Sequence, residues 1–242
     1  MRYLLLNCAL LLAIHCQAEV FNVSYEQALK EQAFVEKMEK LGDRLSEQDL
    51  AILKQAKNYL LQSIQSPGLA VGEKAPAFSL KNPFGQTVKL KQLLEKGPVI
   101  LVFYRGAWCP YCNLHLRVLQ ESLGEFQKYN GQLVTITPQQ PDKSLEQFKL
   151  DARPFEVLSD LNYDVMQRYN LYFDMPKDAL EVYKKIDIDL EEYNGHGRTG
   201  LPVPGTFIVD QSGIIRAVHA EADYAKRMEP ATIIASLKEI SQ

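Results

Sequence analysis

The uninterrupted apolar run Pro98-Val99-Ile100-Leu101-Val102-Phe103-Tyr104 leads within four residues to Cys109-Pro110-Tyr111-Cys112. A short apolar run without alternation reads as a strand buried on both faces. The cysteine pair opens a helix-like pattern, and Pro110 suits the first helical turn, where its missing N–H would be unpaired anyway. Such a junction belongs to a sheet with helices on both faces. Two thiols three residues apart at a helix start can close a disulfide with each other. The helix end also favours the thiolate, the reactive form of cysteine. The junction therefore points to redox chemistry.

Residues 1–18 have the grammar of a targeting segment. Arg2 supplies a positive n-region, Leu4-Leu5-Leu6 through Leu10-Leu11-Leu12-Ala13-Ile14 an apolar core, and Cys16-Gln17-Ala18 small residues for cutting before Glu19. The run is short and interrupted for a membrane span, with a retained anchor as the alternative. An exported protein is expected, periplasmic or secreted. Cleavage would remove Cys8 and Cys16, leaving Cys109 and Cys112 as the thiols of the mature chain. A disulfide scaffold needs more cysteines, farther apart. This pair closes a loop too small to stabilise much through chain entropy, so its use is chemical. The formal net charge of −3 and the lack of a strong basic patch argue against nucleic acid or an anionic membrane as partner.

The segment 24–64 predicts two helices broken at Gly42, with Leu29, Val35, Met38, Leu41 and Leu45 and then Leu50, Leu53, Ala56, Leu60 and Ile64 at mostly helical spacing. Ser46 with Asp49 resembles a capping box for the second. These helices pack on the main domain or, in the sharper reading, form a dimerisation arm giving a homodimer. From residue 70 the pattern changes. Strands 78–80 and 87–90 flank Asn82-Pro83-Phe84-Gly85 as a hairpin. Next come the strand 98–104, a long helix 109–129, a strand 133–137, a helix 144–150, a strand 155–158 and a helix 163–169. Residues 171–203 read as irregular with a helix at 177–185. A hairpin of 206–210 with 214–218 and a helix 230–240 complete the chain. The expected organisation is a signal segment at 1–18, a helical extension at 19–66 and one domain at 67–242. Its order implies an α/β fold, a mixed central sheet with helices on both faces. A CxxC at the first strand-to-helix junction of this pattern is the thioredoxin arrangement.

Phe103-Tyr104-Arg105-Gly106-Ala107-Trp108-Cys109-Pro110-Tyr111-Cys112-Asn113-Leu114 resembles the peroxiredoxin-like branch of the thioredoxin superfamily, the alkyl hydroperoxide reductase and thiol-specific antioxidant proteins. Val71-Gly72-Glu73-Lys74-Ala75-Pro76-Ala77-Phe78-Ser79-Leu80 is similar to its opening strand. Phe155-Glu156-Val157-Leu158-Ser159-Asp160 resembles its third core strand, and Val203-Pro204-Gly205-Thr206-Phe207-Ile208-Val209-Asp210 the approach to its closing hairpin. The resemblance spans roughly residues 70–240 and implies a thioredoxin-like fold. It also implies reduction of hydrogen peroxide or alkyl hydroperoxides, and an external dithiol reductant such as a thioredoxin-like protein. One departure stands out. Typical members surround the peroxidatic cysteine with Pro-x-x-x-Thr/Ser-x-x-Cys, and here those positions are Val102 and Gly106. The second cysteine instead lies at thioredoxin spacing, so an exported thiol–disulfide oxidoreductase is the alternative function.

Cys109 is the expected nucleophile, a sulfenic acid on it being resolved by Cys112. Arg105, four residues earlier, adds positive charge. Trp108 is expected on the substrate-facing surface. By the resemblance, Pro204 fits the cis-proline facing the CxxC, with Val203 offering backbone hydrogen bonds to a substrate, and Pro202 competes for that place. Thr206 lies near the site or simply packs its strand. Cys109, Cys112 and His115 could supply three zinc ligands, but no second cysteine pair exists, and His115 is expected at solvent or capping a neighbour. No cofactor is expected. The Gly-rich stretch Asn194-Gly195-His196-Gly197-Arg198-Thr199-Gly200 reads as a mobile surface loop, or a lid over the thiols, and His219 is given no role.

Overall fold

In the computed structural model, the residues described are 23–151 and 154–242. The targeting segment and Cys8 and Cys16 lie outside them. Three helices come first: α1 (Tyr25–Ala28), α2 (Gln32–Gly42) and α3 (Glu47–Ser63). The expected capping box is present at α3. Ser46 Oγ accepts from the Asp49 N–H at 3.2 Å, and Asp49 Oδ2 accepts from the Ser46 N–H at 3.1 Å. All three helices pack on their own chain, α3 against the later helix α9 (Lys177–Lys185) and α1 against α5 (Pro110–Glu121).

The body holds a seven-stranded sheet in the order β2-β1-β5-β4-β3-β8-β9. Its strands are β1 (Ser79–Lys81), β2 (Thr87–Lys89), β3 (Val99–Phe103), β4 (Gln132–Thr137), β5 (Glu156–Ser159), β8 (Gly205–Val209) and β9 (Ile215–Ala220). β3, β4 and β5 run parallel, and the flanking pairs are antiparallel. Every residue of β3 is buried. The strand period of two sends Val99, Leu101 and Phe103 into one core and Ile100 and Val102 into the other. The second core is the one that holds Cys109 and Cys112. The sequence predicted this strand and the two hairpins closely.

Other expectations are corrected. The long helix at 109–129 is two helices, α5 and α6 (Leu123–Gln127). At the break, the Ser122 hydroxyl donates to the Val118 carbonyl at 2.7 Å and the Ser122 N–H turns to Leu119 O. Such back-bonding competes with the helical ladder and bends the chain. Residues 171–203 are more ordered than expected. β6 (Tyr172–Asp174) and β7 (Gly200–Pro202) form a separate antiparallel pair, and α10 (Leu190–Asn194) joins α9 between them. The remaining helices are α4 (Leu90–Leu94), α7 (Pro141–Asp151), α8 (Asp164–Arg168) and α11 (Pro230–Ile240).

Candidate active site

β3 ends at Phe103, and a tight loop carries the chain to Cys109, the residue capping the N-terminus of α5. Pro110 occupies the first turn, as its ring favours. A polar net ties the loop down. Gln139 Oε1 accepts from the Ala107 N–H at 2.9 Å, and Gln139 Nε2 donates to Ser144 Oγ at 2.8 Å. Asn113 Nδ2 donates to the Ala107 carbonyl at 2.6 Å, while its Oδ1 accepts from Gln147 Nε2 at 2.8 Å. Four side chains from the neighbourhood of α5 and α7 thus fix the height at which the thiols sit. None of them stood out in the sequence.

Cys109 and Cys112 are both free thiols, each 1% exposed. Burial pushes the Cys109 thiol well up. The S–H it donates to Cys112 and the negative charge there push it further, against the opposing charges of Arg105 and Arg227. Burial also works against the Cys112 thiolate. It is outweighed by the Cys109 S–H, the Arg227 guanidinium, the Arg105 backbone N–H and the Arg105 charge, which hold Cys112 at about 5. These interactions favour the thiolate on Cys112, the partner of the expected nucleophile Cys109.

Arg227 is the residue that sequence reasoning missed. Its Nη2 lies 3.5 Å from Cys112 Sγ, and Nη1 donates to the carbonyls of Tyr224 and Lys226. It arrives from an irregular stretch with no motif of its own. Arg105, which the sequence did select, is buried. Its Nη2 donates to Tyr183 Oη at 2.7 Å, and its guanidinium carbon lies 4.8 Å from the Tyr224 ring centroid and 4.9 Å from that of Trp108. No carboxylate pairs with it among the described residues, so the thiolate supplies the nearby negative charge.

The structure also places the other expected residues. Trp108 is wedged between Arg105 and Tyr183 rather than laid on open surface, its Nε1 buried without a hydrogen-bond partner among the described residues. That indole explains Gly106, which has a φ of +147°. A Cβ there would lie 2.5 Å from Trp108 Nε1, so the hydroxyl residue of typical peroxiredoxins is sterically excluded. Pro204 lines a cavity of about 50 Å³ with Arg105, Tyr183 and Tyr224. Its peptide bond is trans, as are all those among the described residues, which corrects the cis expectation. The Val203 N–H is already bonded to the Leu171 carbonyl at 2.7 Å and is not free for a substrate. Thr206 is buried in β8 opposite Val102, and the strand accounts for it. His115 is buried, not at solvent. Its Nε2 donates to the Met228 carbonyl at 3.1 Å, and burial together with the charge of Arg227 depresses its pKa to about 3.

The family model described as the AhpC/TSA family matches residues 71–218. The chain belongs to the AhpC/TSA family. The match of this AhpC/TSA protein begins just after α3 and ends within β9. A Mycobacterium tuberculosis protein with a peroxiredoxin name is 31% identical over 148 residues, covering 61% of this chain and 82% of that protein. The thiol-disulfide oxidoreductase ResA of Halalkalibacterium halodurans is 25% identical over 148 residues, covering 61% of this chain and 67% of the relative. The crystal structure of peroxidoxin BcpB from Mycobacterium tuberculosis superposes with a TM-score of 0.56 at 19% identity, covering 72% of this chain and 99% of that one. The AhpC/TSA protein is thus a peroxiredoxin-like oxidoreductase with a thioredoxin-like fold.

Proposed function

We propose that the protein reduces hydrogen peroxide or alkyl hydroperoxides with Cys109 and Cys112, and that an external protein dithiol restores the thiols. The observation that carries this reading is geometric: two free, buried thiols at the start of α5 joined by an S–H···S bond whose proton lies between them, with the Arg227 guanidinium 3.5 Å from Cys112 Sγ. Passage of that proton across the S–H···S bond makes Cys109 a thiolate. It attacks the peroxide, forming an S–O bond as the O–O bond breaks, and the departing oxygen takes the proton from Cys112, which becomes the thiolate. Cys109 is then a sulfenic acid. The Cys112 thiolate attacks its sulfur, closes the disulfide and expels hydroxide, which takes a proton from solvent to become water. Exchange with an external dithiol returns two electrons and two protons. The apolar segment in residues 1–18 supports an exported setting, periplasmic or secreted.

Rapid mixing with hydrogen peroxide and an alkyl hydroperoxide tests the reading. The thiols should oxidise far faster than free cysteine, Cys112→Ser should accumulate a sulfenic acid that reacts with dimedone, and Cys109→Ser should be inert. Oxidation no faster than free cysteine removes the proposal. A second reading, exchange with protein disulfides, is favoured by the depressed Cys112 thiol and by the ResA likeness. It predicts turnover of a model protein disulfide with little peroxide response.

A further inference from the structure

The outer cover of the redox centre comes from helices that precede the family match. Tyr111 packs against the cluster containing both thiols, and its ring meets Tyr224 at 5.7 Å. Outside this tyrosine pair lie α2 and α3. Phe34 of α2 meets Tyr111 edge-on at 5.3 Å. Lys57 of α3 lies 5.6 Å from the Tyr224 ring centroid and pairs with Asp223 at 2.9 Å. The closure is shallow. α2 contains no fully buried residue, α3 buries Asp49 and Leu60, and beneath α3 remains the small cavity beside Arg105 and Pro204. The attachment combines apolar contacts of Ile52, Leu53, Ala56 and Leu60 with the ion pairs Lys57–Asp223, Arg44–Asp187 and Lys185–Asp49. The exposed pair Arg44–Asp187 is worth about 0–1 kcal/mol, while Lys57–Asp223 is partly buried. Helices attached in this way open at a cost below that of global unfolding.

Thiol–disulfide exchange requires an external sulfur to attack one of the two sulfurs directly. Two proteins must then touch at an atom that is out of contact with solvent. A peroxide is little larger than water and needs a far narrower opening than a protein partner does. We propose that α2 and α3 are a size-selective cover latched by Lys57 on Asp223: small hydroperoxides reach the thiols with the helices in place, and a protein dithiol docks only after they swing away. The inference rests on the thiol chemistry proposed above. In the exchange step one thiolate of the partner attacks a sulfur of the Cys109–Cys112 disulfide and releases the other as a thiolate. The partner's second thiol then attacks the mixed disulfide, leaving the partner oxidised and this pair reduced. The uncovered face presents Tyr111, Tyr224, Pro204, Phe173 and Met175, an apolar patch suited to a protein partner.

The test compares small and large reagents on the full chain. The oxidised protein is reduced with dithiothreitol or with thioredoxin, and the reduced protein is oxidised with hydrogen peroxide or labelled with a maleimide on a long polyethylene glycol. Lys57→Glu, which repels Asp223, should speed thioredoxin reduction and bulky labelling by at least about five-fold, with the small-reagent rates within about two-fold. Asp223→Asn should behave likewise, and Lys57→Arg should keep wild-type rates. Amide exchange across 47–63 should accelerate in the first two variants. Rates that all rise together, or bulky-reagent rates that stay unchanged while 47–63 exchanges faster, overturn the proposal. If wild type does not react with peroxide, diamide forms the disulfide instead. The dependence on reagent size is then read independently of the peroxidase proposal.

Discussion

At the scale of single residues, the redox centre is governed by what surrounds each sulfur. Arg227 is the principal cation on Cys112, so Arg227→Met should raise the thiolate midpoint, read as absorbance near 240 nm, by about one to three pH units. Alkylation at mildly acidic pH should slow accordingly. Gly106 makes an opposite kind of test. Gly106→Thr installs the hydroxyl of typical peroxiredoxins, yet it forces a side chain into the indole of Trp108 at a backbone angle of +147°. It should lower stability by about 1–3 kcal/mol in urea denaturation and should not accelerate peroxide oxidation. The two positions also mark the limit of what the sequence conveys. Cys109, Cys112 and Arg105 lie in one short stretch, and their proximity is imposed by covalent connection. Arg227 lies 115 residues from Cys112, and only the finished fold brings them together.

Among the elements, the legible ones are those whose burial follows a single period. The apolar run of β3 and the amphipathic face of α11 fall where they were expected, and α9 has the predicted bounds. Strands β6 and β7 carry three residues each, with Pro202 and Gly200 among them, and so leave no periodic trace. The break between α5 and α6 was hidden for the opposite reason. Apolar spacing continues through it, and the interruption comes from one hydroxyl bonded four residues back. α3 depends on its cap. Ser46→Ala removes one half of the capping box and should cost about 1 kcal/mol. Hydrogen exchange should report the loss in 47–63, with β3 and β4 unaffected.

Across the whole molecule, His115 couples stability to pH. It touches Tyr25 of α1 at a ring distance of 5.3 Å and the Met228 carbonyl ahead of α11. Its pKa is depressed from 6.5 to about 3 in the fold, so the unfolded chain binds the extra proton between those values. The stability linked to His115 is complete above pH 6.5 and is lost as pH falls toward 3. Urea midpoints at neutral and acidic pH should diverge less in His115→Gln than in the wild type. The Glu229 carboxylate accepts the N–H groups of Tyr25 and Glu26 at 2.8 and 2.9 Å, joining positions more than 200 residues apart. That closure gives the chain a vulnerable period during its own synthesis. Cys109 and Cys112 leave the ribosome long before Arg227 and Glu229 are translated, an interval on the order of ten seconds. Through that interval the nascent thiols lack both their counter-charge and their shelter, and are open to oxidation.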